Sequence, residues 1–107
     1  MQPIDSFKIP VQHPCLPGHF PSRPIVPGVV LLEQVETILK KHITDWDIVE
    51  LSQVKFLQPV LPDELIELLV DSSKLESHQS TLFQLINVET QSQVATGKLK
   101  LTEVNKG

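Results

Sequence analysis

A chain of 107 residues suits a single domain, residues 1–107, able to bury about two-thirds of its unfolded surface, and its 40% hydrophobic and 21% charged residues are those of an ordinary globular protein. The net charge of −4 and the dispersed lysines argue against nucleic-acid binding, which needs a dense positive footprint on the phosphates. One cysteine, Cys15, rules out an internal disulfide, the four scattered histidines offer no close ligand pairs for a structural metal, and no apolar run approaches the roughly 18 residues of a membrane span.

The start, MQPIDSFKIP, lacks the basic-then-apolar order of a secretory signal, which leaves the cytoplasm as the expected location. Residues 4–12, IDSFKIPVQ, alternate loosely around a proline and predict an edge strand. A Pro/Gly-rich loop follows through Gly28 and holds a single histidine, His19. Residues 29–43, VVLLEQVETILKKHI, place Leu31, Leu32, Val35, Ile38, Leu39 and Ile43 at three- and four-residue steps and predict the one helix. Pro27 sits where a helix start tolerates proline, and Lys40, Lys41 and His42 suit the negative end of the helix dipole. After a TDWD connection come four strand candidates, residues 48–60, 64–75, 80–90 and 93–104, separated by polar breaks. The stretches ESHQS and ETQSQ favour antiparallel hairpins over helical crossovers. One helix and about five strands give an α+β domain with a sheet covering one helix. So small a chain leaves apolar surface and strand edges uncovered, which a homodimer would cover.

Proline fixes φ and glycine permits unusual backbone, so the prolines and glycines around His19 specify the loop residue by residue. A plain stiff connection with a solvated histidine explains the same composition. Around the helix, Glu33 falls at the margin of the apolar arc near Val29; Glu36 has Lys40 four residues on, but Glu33 has Thr37 there and no such partner. A carboxylate among apolar neighbours keeps its proton more readily, as a general acid must. The amides of Gly28 and Val29 open the helix at the positive end of its dipole, where an anionic oxygen is well held, and glycine admits close approach of a ligand. A base, an acid and preorganised amides are the parts for removing a proton beside a carbonyl and expelling a β-hydroxyl.

The run GHFPSRPIVPGVVLLE, Gly18 to Glu33, resembles the active-site signature of the FabA/FabZ-type 3-hydroxyacyl-[acyl-carrier-protein] dehydratases. A second run, VKFLQPVLPDEL from Val54 to Leu65, is similar to that family's V-K-F-x-x-P-V-x-P-G-D-x-L strand. The resemblance implies a hotdog fold, a long central helix wrapped by an antiparallel sheet, in a homodimer whose histidine and acidic residue meet across the subunit interface. It implies His19 as base and Glu33 as acid, with the Gly28 amide on the thioester carbonyl, Val29 and Pro27 beside it, and Phe20 lining the site. The implied partner is an acyl carrier protein bearing a 3-hydroxyacyl chain, with no cofactor and no metal. Glutamate at position 33 resembles FabZ more than FabA, and with it dehydration to the trans-2-enoyl thioester without isomerisation.

The chain departs from the pattern at Thr37, where a glutamine is usual, at Leu57 and Gln58, where a basic pair is frequent, and at Pro62-Asp63-Glu64-Leu65, one residue short of P-G-D-x-L. It also has no tyrosine to gate a tunnel. These departures make it similar to short accessory members, the ApeI-like dehydratases of aryl-polyene pathways. A hotdog thioesterase using Glu33 to activate water, and a noncatalytic acyl-chain or carrier-binding module, are the alternatives. Cys15 reads as a small apolar filler, His13, His42 and His78 as structural or solvated, and Trp46 as an anchor for its connection.

Overall fold

The computed structural model describes residues 2–10, 25–71 and 80–103. In chain order these form β1 (Gln2–Phe7), α1 (Gly28–His42), β2 (Trp46–Phe56), β3 (Ile66–Val70), β4 (Ser80–Asn87) and β5 (Ser92–Glu103). All five strands join one antiparallel sheet in the order β1-β3-β4-β5-β2, so the strands at its two edges are β1 and β2. The expected α+β arrangement is present, one helix against one sheet. No helix among the described residues is long and apolar enough to cross a membrane.

The helical periodicity places α1 to within a residue at each end. Its buried face is Val30, Leu31, Val35, Ile38 and Leu39, with Leu32 and Ile43 half-buried beside them. Val30, absent from the expected apolar set, is fully enclosed. This face shares one core with Ile66, Leu68 and Val70 of β3, Phe83 and Leu85 of β4, and Leu99 and Leu101 of β5. Full burial of each such side chain contributes roughly 1.5–3 kcal/mol. The evenly apolar run in β3 resolves into alternation, with Ile66, Leu68 and Val70 buried and Glu67 and Leu69 only half so.

All five strands depart from their expected bounds, β3 covering only 66–70 of the expected 64–75. β1 begins two residues earlier and ends at Phe7, opposite Ile66, where its partner β3 begins. β2 reaches back to Trp46, which is therefore the first strand residue rather than part of a connection; it pairs with Glu103 and its half-buried side chain packs on the core. The sheet is curved by bulges: the register shifts between Pro3 and Asp5, Ile48 and Glu50, Ser52 and Lys55, and Leu85 and Ile86. Gln53, at φ 52°, lies inside the third. On the helix side a side chain at Gly97 would run into the ring of Phe83, its cross-strand partner, so that glycine is what lets Phe83 lie flat in the core.

Candidate active site

Pro27 caps α1 in an extended conformation, φ −61° and ψ 144°, and offers no side-chain hydrogen bond. Among the described residues, the first amide of the helix to find an acceptor is that of Val30, 3.0 Å from the Pro27 carbonyl. The amides of Gly28 and Val29 precede it at the positive end of the helix, and the first turn carries no acidic residue to offset that end.

A groove of about 490 Å³ opens beside this end, within the range of small-ligand sites, roughly 300–1,000 Å³. One wall is Ile25, Val26, Pro27, Gly28 and Leu31, and the other is the continuous stretch from Phe56 to Val60. Among the described residues of the lining, Gln58 contributes the one polar side chain. The far wall is fastened by hydrogen bonds to three parts of the fold. Val26 N–H donates to the Val60 carbonyl at 2.8 Å, Asp63 N–H to the Ile9 carbonyl at 2.8 Å, and Leu57 N–H to the Val94 carbonyl at 2.8 Å. Side chains add two ties to the β4–β5 turn. Gln58 Nε2 donates to Ser92 Oγ at 2.7 Å, and Asn87 Nδ2 donates to Glu64 Oε2 at 2.9 Å. Asn87 is buried and its Oδ1 accepts from the amides of Glu89 and Thr90, while Glu64 Oε1 accepts from Leu61 N–H.

The shortened P-D-E-L stretch has a local explanation. Pro62 and Asp63 are the central residues of a turn closed by Glu64 N–H on the Leu61 carbonyl at 3.3 Å, and Asp63 takes φ 66°. That left-handed conformation favours glycine, and aspartate is among the few other residues that tolerate it.

The residues singled out by sequence are distributed unevenly. Pro27 and Gly28 line the groove, whereas Val29, 62% exposed, and Glu33, also exposed, lie on the outward flank of α1. The described residues do not enclose Glu33 in the apolar surroundings expected for it. Thr37 does not reach the Glu33 carboxylate: its Oγ1 donates to the Glu33 backbone carbonyl at 2.9 Å, an ordinary back-bond within the helix. Gly28 has a packing reason of its own. The space a Cβ would fill is taken by the Phe56 ring, whose Cζ would lie 2.6 Å from it, so the missing side chain makes room for Phe56. His19 and Phe20 lie outside the described residues, as do His13, Cys15 and His78. The groove wall from Phe56 to Val60 was not among the expected site residues, although the V-K-F-L-Q-P-V run that forms it was the second family-like motif. His42 has a definite structural role, its Nε2 lying 2.9 Å from Asp5 Oδ2 of β1.

Residues 3–98 match the ApeI-like family, described as ApeI dehydratase. A 3-hydroxyacyl-[acyl-carrier-protein] dehydratase FabZ from Mannheimia succiniciproducens is 36% identical over 75 residues, which cover 62% of this chain and 50% of that protein. A FabZ from Chlamydia trachomatis serovar L2 is 31% identical over 108 residues, covering 92% of this chain and 70% of that protein. The alignment with the Mannheimia protein thus spans half of that relative's length. Among solved structures, an uncharacterized protein from Erwinia carotovora subsp. atroseptica superposes with a TM-score of 0.72 at 26% identity, covering 92% of this chain and 81% of that one. The ApeI:P dehydratase heterocomplex from Xenorhabdus doucetiae contains a chain of the same fold, with a TM-score of 0.70 at 23% identity, covering 90% and 82%. The helix-in-sheet arrangement is the hotdog fold of these neighbours.

Proposed function

The chain belongs to the ApeI-like dehydratase family, and from that premise we propose that it removes water from a 3-hydroxyacyl thioester carried on an acyl carrier protein, in a fatty-acid-like or polyene-like pathway. The observation that carries this reading is the apolar groove at the uncapped start of α1, with Gly28 in its wall. A thioester carbonyl placed at that end would have its developing negative charge held by the Gly28 and Val29 amides. His19 takes the C2 proton, the freed electron pair forms the C2–C3 double bond, and the C3 hydroxyl leaves as water with a proton from Glu33. Phe20 and Pro27 border the reacting carbons.

Glu33 and Val29 face outward from the single chain, and among the described residues β2 stands at one edge of the sheet. Both features support a homodimer in which Glu33 serves the groove of the partner and meets its histidine there. The half-exposed Phe56 and Leu57, at 48% and 52%, add apolar surface that such a partner and an acyl chain would cover.

The test is incubation of the purified protein with 3-hydroxyacyl carrier-protein substrates of several chain lengths, conjugated polyenoyl chains included, read by mass spectrometry. Loss of one water from the carried chain is expected. Release of free acid instead would make the protein a thioesterase, and acyl-chain binding with neither dehydration nor the reverse hydration would make it a binding module.

A further inference from the structure

The two family-like motifs meet at one contact, the ring of Phe56 on the backbone of Gly28, and we propose that Phe56 is a positioning residue. Its inner face sets the first turn of α1, and with it the Gly28 amide. Its outer face is the floor of the acyl groove. The inference rests on the dehydratase reading and adds to it a residue that holds the carbonyl-binding amide in place.

Three observations carry it. Pro27 gives the start of α1 no side-chain cap, and among the described residues the Val26–Val60 backbone bond lies behind this turn and the Phe56 ring lies against it. The position of the ring is in turn dictated by the sheet, since Phe56 pairs with Ala95 and the following Leu57 N–H donates to the Val94 carbonyl. The contact is as close as the missing side chain permits, because a Cβ on Gly28 would lie 2.6 Å from Cζ and 2.8 Å from Cε2. Packing alone does not account for a phenylalanine here. The Phe83–Gly97 pair uses the same ring-on-glycine device with Phe83 1% exposed, whereas Phe56 stays 48% exposed and turns its free face into the groove. An aromatic ring left half in water forgoes much of its transfer free energy unless something covers it.

A double-mutant cycle on the full-length protein tests this. Displacement of a reacting group by about 1 Å costs up to about a hundredfold in rate, so Gly28→Ala, which drives the ring or the turn aside, is expected to lower kcat by roughly ten- to a hundredfold. Phe56→Leu removes the ring atoms nearest Gly28 and is expected to lower kcat about tenfold, because the turn is no longer held. The combined variant is expected to recover about tenfold over Gly28→Ala alone, the signature of two groups that share one space. Phe56→Met serves as the second partner if the leucine variant does not fold. A merely structural ring would show its effects in the thermal midpoint, with kcat of the folded fraction unchanged. If wild-type protein turns over but the two losses simply multiply, the positioning role is overturned and the dehydratase reading stands. If wild-type protein does not turn over, that reading fails by itself. The pair is then read from the Kd of a saturated acyl-pantetheine thioester, where rescue by the double variant supports the contact as groove floor and independence overturns it.

Discussion

At its C-terminal end α1 closes on the chain's own atoms: Ile43 N–H donates to the Leu39 carbonyl at 2.7 Å, Lys40, Lys41 and His42 complement the dipole, and His42 reaches Asp5 on β1. At its N-terminal end the same helix has a proline cap without a side-chain bond, no acid in the first turn, an apolar groove alongside and Val29 in water. The one end needs nothing from outside. At the other, no described residue compensates the partial positive charge or covers the apolar surface, although its surroundings are well built, with the wall from Leu57 to Leu65 tied to Ile9 just after β1, to the helix entry, to β5 and to the β4–β5 turn. A poorly designed helix start would be loose all round; this one is rigid on one side and open on the other, as a binding end should be.

The sharpest test of that contrast is chemical. Glu33→Gln keeps the shape and removes the acid, and it is expected to lower kcat by about 10²–10⁴-fold, as is His19→Ala. Both are measured by single-turnover mass spectrometry, with circular dichroism to verify the fold. Glu33 is exposed in the single chain, so the thermal midpoint should move little. Full activity in Glu33→Gln would strip the open end of its acid. Val29→Glu is the next largest. A first-turn glutamate suits the helix dipole by about 0.3–1 kcal/mol, so the helix itself is not harmed, yet a charge is placed on the face assigned to the partner subunit. A shift from dimer to monomer in size-exclusion chromatography with light scattering is expected, and an unchanged dimer would move the interface elsewhere.

Much of the closed end was legible in the sequence. Periodicity and the basic last turn are local signals, and they place α1 to within one residue. The open end was legible only in part, because its walls come from residues far apart in the chain. The Phe56–Gly28 contact joins two motifs that each read as a separate family feature, and neither motif says that the glycine is there for the ring. Trp46 read as loop because the TDWD stretch is polar, yet pairing with β5 carries β2 through it. The register shifts in the sheet depend on pairing between strands and leave no local trace, as at Gln53, whose φ of 52° nothing in its own residue type announces. His19 was singled out by its proline and glycine setting alone, and it lies outside the described residues.

The rigid wall of the groove makes a smaller prediction. Asn87→Ala removes a buried side chain and leaves the turn amides of Glu89 and Thr90 and the Glu64 carboxylate without it as a partner, at a cost of about 1–3 kcal/mol. It is expected to lower the urea midpoint without changing the slope, and to raise KM as the wall loosens. Ser92→Ala removes the Gln58 tie and the exposed Thr90 Oγ1–Ser92 Oγ bond but leaves Asn87 in place, and should cost less, about 0.5–1.5 kcal/mol. Equal effects of the two would mean that the wall is not hinged on Asn87.

The closed end gives the smallest effect and the one with a sign in pH. The Asp5 carboxylate accepts a hydrogen bond from His42 and a second from the Ser6 amide, and these hold its pKa below the ordinary value of 3.8 against the opposing effect of desolvation. A group whose folded pKa is depressed binds fewer protons in the native state. Its contribution to stability is therefore fully present above 3.8 and is lost as pH falls through the lowered folded value. Asp5→Asn removes that contribution. Thermal midpoints of wild type and variant, measured from neutral pH downward, should differ by a small margin above 3.8 and converge below it, and the ionic part of the margin should shrink with added salt. A margin that stays constant through the acid range would show that the link between β1 and α1 is not ionic, and would leave the Ile43–Leu39 bond and the dipole as the whole of what closes this end.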